Sequence, residues 1–239
     1  MYRSLHCIAL RTVRHSDSKN LLSAWSRELG RVTFSMPSGA GREARRRRGL
    51  TSPLALFEGE ADVRPGREIL QMRDLRPMAG SLAMDTSPVK GLTALFLAEF
   101  LDLIMRRAEP DGALSDFVFA SLEYFAEMTD AGALANFHLV FVCRLMHYAG
   151  IAPDVTEDGS FFDMREGRFR TTPPLHAEWL DENETAMLRV LAGARYDTAA
   201  TVAQERLSRN ILLDIMLRYY SIHLMPLTSL KSLEVLRGL

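Results

Sequence analysis

Five arginines, Arg42, Arg45, Arg46, Arg47 and Arg48, fall within seven positions of the stretch SGAGREARRRRGLTSP at 38–53. A guanidinium matches phosphate oxygens bidentately and stays charged at any working pH. Glycines flank the run, and one acid, Glu43, stands among the cations. These residue types at this spacing fit a loop that grips a polyanion through its phosphates; the competing reading is a solvated charge run. Arg11, Arg14, Lys19, Arg27 and Arg31 extend the same basic field, although each alone is ordinary surface charge. Trp25 and Phe34 have ring faces on which bases stack, but their strand positions place them in a core.

Other chemistry finds little support. Cys143 and His147 are four apart and share a helix face, yet His138 and His176 stand at no usable spacing, and four-coordinate zinc needs more. The expectation is a buried cysteine, a packed histidine and no metal or other cofactor. The chain has no G-x-x-x-x-G-K-[ST], G-x-G-x-x-G or G-x-S-x-G run. Asp163 and Glu166, in FFDMREGRF, read as a small turn and not as an acid/base pair. A protein without a catalytic centre is expected. Two cysteines make no disulfide framework.

The elements that must carry the arginines come next. The runs 5–14, 20–29, 31–36, 54–63 and 68–75 are mixed apolar and polar with β-branched residues, and Gly30 marks a hairpin turn. Five short strands cannot bury a flat sheet face alone, so a small closed or nearly closed barrel is expected, with the arginines in a loop between its third and fourth strands. From Ser87 the period changes to helical. Pro88 suits the first helical position, and Leu92, Leu95, Phe96, Phe100, Leu103 and Ile104 recur on one face. Further helices are expected over 114–128, 134–150, 181–193 and 204–224, with a short amphipathic one at the end. Asp181 and Glu184 stand in capping-box positions. Residues 151–180 hold prolines and glycines and little periodicity.

The chain's 239 residues are 47% apolar and 25% charged, ordinary for a globular protein. Its net charge of −1 conceals a split: residues 1–80 hold fifteen lysines and arginines against eight acids, so the other 159 carry a surplus of eight acids. Halves of opposite sign imply two modules, the basic one facing a polyanion. No run approaches the ~18 apolar residues of a membrane span, and the N-terminus lacks a signal peptide's apolar stretch. The cytosol is the expected compartment.

In this order the residues resemble the RecO family of bacterial recombination mediators. IALRTVRHSDSKNLLSAWSRELGRV is similar to the family's opening hairpin, and GAGREARRRRG stands where the family carries a Gly- and Arg-rich basic loop. LANFHLVFVCRLMHYAGIAP, FFDMREGRF and LKSLEVLR resemble the helix, insert and ending of the branch found in Bacteroidetes-like bacteria. The resemblance covers nearly the whole chain. It implies an α+β protein of two domains: an N-terminal small β-barrel of the OB-fold type over 1–80, then an all-α helical domain over 81–239 with a short insert at 151–180. It implies binding of single- and double-stranded DNA, annealing of complementary strands and no catalysis. It also implies RecR, RecF and the C-terminal tail of the single-strand-binding protein as partners, no membrane, and a cytoplasmic place on the nucleoid. Arg106, Arg107 and Arg144 are candidates to pair with that acidic tail. Many members carry two Cys-x-x-Cys pairs in the insert; residues 151–180 here contain no cysteine, so zinc is not carried over and FFDMREGRF is expected to fold as a hairpin by packing alone. From the residues themselves, an RNA-binding or ribosome-associated OB protein remains the alternative, as does a scaffold whose arginines only solubilise.

Overall fold

The computed structural model describes residues 2–78, 80–81, 87–108, 110–227 and 230–238, the side chain of Arg107 excepted. They form two compact units, Met1–Glu127 and Met128–Leu239.

The first unit opens with three antiparallel strands, β1 (Tyr2–Arg14), β2 (Lys19–Ser26) and β3 (Gly30–Pro37). A helix, α1 (Arg42–Leu50), leads to β4 (Leu56–Asp62), which returns to pair with the first half of β1. The 13-residue β1 serves two partners because a register shift between Ala9 and Arg11 bends it. One final run then meets both free edges. β5 (Ile69–Leu70) pairs in parallel with β3, and after Gln71 β6 (Met72–Pro77) pairs antiparallel with β4. The sheet order β5-β3-β2-β1-β4-β6 thus curls into an OB-type barrel. Inward residues alternate along the strands, with Leu5, Cys7 and Ala9 on β1, Leu22 and Ala24 on β2, and Val32, Phe34 and Met36 on β3.

The outer wall of β1 and β2 is apolar too: Ile8, Leu10 and Trp25 are buried. Two helices, α2 (Pro88–Ile104) and α3 (Gly112–Glu127), belong to the same compact unit, and α2 packs on β1. The Trp25 indole donates to Ser115 Oγ at 3.0 Å. The first compact unit thus holds α2 and α3 together with the barrel, whose tryptophan-bearing outer wall they cover.

The second unit begins with α4 (Ala131–Tyr148), capped by Asp130 and ended at Gly150, whose φ is +69°. The expected hairpin in the insert is present. β7 (Phe161–Asp163) and β8 (Arg168–Arg170) pair around a turn closed by Gly167, and β9 (Trp179–Leu180) adds a third strand. Phe162 and Phe169 meet edge-on at 5.1 Å beneath it. The Asp163 carboxylate accepts from the Arg165 and Glu166 amides at 2.9 and 3.1 Å and lies 3.2 Å from His176 Nε2. Burial opposes its charge, but those contacts outweigh burial and hold its pKa below the ordinary value. α5 (Glu182–Ala192) starts at the expected capping box of Asp181 and Glu184. A 3-10 turn (Tyr196–Thr201), α6 (Arg206–His223) and the short α7 (Leu233–Leu236) complete the unit. Tyr220 of α6 donates its hydroxyl to the Val142 carbonyl of α4 at 2.9 Å.

Candidate nucleic-acid interface

The arginine run is not a loop. Arg42–Leu50 is α-helical, starting after Gly41, whose φ of +102° turns the chain into it. Only Ala44 and Leu50 are buried along it, so the apolar period that betrays a helix is missing. Alanine and arginine are strong helix formers, and propensity plus two anchors suffice for two and a half turns on a barrel. At 100° per residue, Arg42, Arg45, Arg46 and Arg48 fan over the outer face and are exposed. Arg47 lies between Ala44 and Leu50 on the inner face, half-buried. Arg48 donates to the Gly39 carbonyl at 3.1 Å, and Arg46 stands 4.0 Å from Glu43, a loose exposed pair.

The other candidates separate into two groups. Ser38 donates its amide to the Ser18 carbonyl at 2.9 Å and its hydroxyl to the Asp17 carbonyl at 2.6 Å. This ties the β1–β2 turn to the lead-in of α1, so Arg14 and Lys19 share α1's end of the barrel. Arg14 reaches Asp17 at 2.6 Å, Lys19 is exposed, and exposed Arg11 lies at the bulge of β1. Arg27 and Arg31 lie at the far end of β2, roughly 25 Å of strand away. Arg31 is bound to the buried Asp102 of α2 at 2.6 Å, and Arg27 to Asp116 of α3 at 3.1 Å while lying over the Phe119 ring. These two fasten α2 and α3 to the barrel. Trp25 and Phe34 are fully buried, as their strand positions imply, and neither presents a ring face to solvent.

Of the expected partner contacts, Arg106 stands 3.7 Å from Asp102 in the first unit, whereas exposed Arg144 lies over the Tyr196 ring at 5.9 Å in the second. The side chain of Arg107 lies outside the described residues. A feature the sequence reading missed is a cleft of about 740 Å³ in the second unit, where Ile215, Ile222 and Leu227 surround exposed Arg218. Cys143 is buried and its thiol is pushed up to about 12 by that burial, while His147 is exposed, so the two do not converge. Among the described residues no three His, Cys, Asp or Glu side chains gather as metal ligands would, and no helix is long and apolar enough to cross a membrane.

Residues 86–234 match the family model "Recombination protein O C terminal". The "DNA repair protein RecO" of Phocaeicola vulgatus is 33% identical over 235 residues, covering 97% of this chain and 96% of the relative. The chain belongs to the RecO family. A second RecO, from Porphyromonas gingivalis, is 33% identical over 238 residues, and one from Bacteroides fragilis is 31% identical over 237; each match spans 97% of this chain and 96% of the relative. These RecO relatives carry the name of DNA repair proteins, which agrees with a barrel that sets four outward arginines on one helix.

Proposed function

We propose that this chain is a non-catalytic DNA-binding mediator of DNA repair. It holds single- and double-stranded DNA across the α1 end of the barrel, with Arg42, Arg45, Arg46, Arg48, Arg14, Lys19 and Arg11 on phosphates. Neutralising two backbones lowers their repulsion while loose contacts leave the bases free to pair, so complementary strands anneal. In this reading the protein helps a recombinase replace single-strand-binding protein, with RecR and RecF as further partners and the nucleoid as its place of work. The acidic, apolar tail of single-strand-binding protein is a further partner in this reading: the Arg218 cleft offers it apolar walls and the cations Arg218 and Arg237, with Glu178, Glu184 and Asp214 also in the lining. The observation that carries the proposal is the outward fan of arginines on α1, next to Arg14 and Lys19.

The test is the Arg42→Ala/Arg45→Ala/Arg48→Ala variant, titrated against single strands at several salt concentrations. Phosphate carries no base information, so affinity falls alike for every sequence. The slope of log K against log salt flattens by up to roughly 2 units, at about 0.7 per lost phosphate contact, and annealing falls with it. A folded variant with wild-type affinity and slope overturns the proposal. Stronger retention on structured RNA than on DNA would favour the RNA-binding alternative.

A further inference from the structure

Between α1 and β6 the barrel carries a cleft of about 360 Å³, at the small end of the ~300–1,000 Å³ range of small-molecule sites. Part of its wall is apolar, formed by Met36, Pro37, Leu50, Met72 and Leu75. Three cations, Arg46, Arg47 and Arg76, also line it. The Arg47 Nε is sealed from solvent and has no hydrogen-bond partner among the described residues. A donor on a charged group left in that state is costly, and a shift of the Arg47 side chain towards an oxyanion in the cleft would relieve the cost. Two carboxylates, Glu43 and Asp74, complete the lining. Inorganic phosphate alone would leave the apolar wall unmatched and meet those carboxylates.

Asp74 is there because of a defect in the sheet. Glu58 pairs with Arg76 and Glu60 with Arg73, so Asp74 and Leu75 together oppose the single Gly59. A Cβ at Gly59 would come within 2.8 Å of the Arg73 carbonyl oxygen, so the bulge requires glycine there. Asp74 takes a φ of +51°, a region that Asp and Asn enter more readily than most residues. Bulges re-aim side chains, and this one brings both Asp74 and Leu75 to the cleft.

We propose that the cleft between α1 and β6 holds one unpaired nucleotide of a bound strand, its base against Leu50, Met72 and Leu75, its phosphate on Arg47 and Arg76, and its base edge donating to Asp74. This rests on the DNA-binding reading and adds a base-sensitive site to it. A duplex, its bases stacked and paired, has no base to offer the cleft. A carboxylate only accepts hydrogen bonds. Every unpaired base has an N–H on its edge to give, the exocyclic amine of adenine, cytosine and guanine or the N3–H of thymine, so the cleft takes any base and rejects a strand that carries none.

The experiment measures binding of the full chain to equal-length labelled strands of oligo(dC), oligo(dT) and an abasic sugar-phosphate chain, which carry the same charge. Wild type binds oligo(dC) and oligo(dT) alike, each about fivefold more tightly than the abasic strand, the effect of roughly 1 kcal/mol of base contact. Leu75→Trp fills the cleft without changing charge; it brings oligo(dC) down to the abasic level and leaves the abasic affinity unchanged. Asp74→Asn keeps a side chain that tolerates the left-handed backbone, so it folds, and with a neutral acceptor in place of the charged one it narrows the gap between the base-bearing strands and the abasic one. Equal wild-type binding of all three strands, or an Asp74→Asn protein that keeps the full gap over the abasic strand, overturns the nucleotide site while leaving phosphate binding standing. If Leu75→Trp fails to fold, Asp74→Asn decides alone. Failure to bind any of the three strands overturns the DNA-binding reading and the site with it.

Discussion

Helices α1 and α4 obey opposite rules. α4 buries twelve of its eighteen residues, among them Phe137, Phe141, Val140 and Leu145; α1 buries two of nine. α4 exists because the second unit needs its side chains inside. α1 exists because its sequence is intrinsically helical and two anchors hold it on the barrel, which leaves its arginines for a partner. In α4 a side-chain change acts on stability, and in α1, on the function proposed above, the same kind of change acts on binding.

The strongest way to test the contrast is Phe141→Ala. Its ring is fully buried, and removing a buried phenylalanine costs about 3–5 kcal/mol in lost transfer energy and cavity. Thermal melting should show a large loss in the second unit. A drop under about 1 kcal/mol would mean that α4 is packed far more loosely than its burial implies.

A comparable effect, spread over several pH units, comes from His138, buried on the same helix. Burial, reinforced by Arg209, pushes its pKa from 6.5 down to about 3. The unfolded chain takes up a proton as pH falls through 6.5 and the folded chain does not until about 3. Stability is therefore full above pH 6.5 and is lost between 6.5 and 3, by up to about 1.4 kcal/mol per pH unit. His138→Gln should flatten that stretch of the stability profile, measured by denaturant unfolding at pH 7, 6, 5 and 4. An unchanged slope would place the acid sensitivity elsewhere.

The smallest effect belongs to α1. The Arg42→Ala/Arg45→Ala/Arg48→Ala protein should keep its unfolding midpoint, each exposed change costing within ~0.5 kcal/mol and alanine being the better helix former. A marked loss of stability would show that these arginines hold the barrel together, and α1 would then resemble α4 after all.

The same contrast explains what the sequence disclosed. The strands alternate, α2 and α4 repeat their apolar residues every three or four positions, and the Asp181–Glu184 cap is written in four residues; each is a local signal. The hairpin of FFDMREGRF is local as well. α1 escaped because a helix without an apolar stripe has no period to read. Arg27 and Arg31 looked like surface charge because their acids, Asp116 and Asp102, lie 89 and 71 positions further along. The extent of the first compact unit was hidden for a related reason: Trp25 reads as barrel interior, and only the fold shows it on the outer wall against Ser115. The α1–β6 cleft depends on Asp74 and Leu75 opposing Gly59, a pairing that no stretch of the chain announces by itself.

The strand that meets both edges of the barrel has a consequence in time. β5 joins β3 only after the chain has closed a loop of about 36 residues from Phe34 to Leu70, whereas β6 meets β4 across a hairpin of about 11 residues from Ala61 to Met72, and the shorter closure comes at the smaller entropic cost. One wall of the α1–β6 cleft is β6 itself. A chain still emerging from the ribosome, or a molecule whose last strand has peeled away, thus keeps the arginines of α1 and their attraction for any polyanion but lacks the cleft. Recognition of a base, on the proposal above, is then a property that arrives after the arginines and is lost with β6.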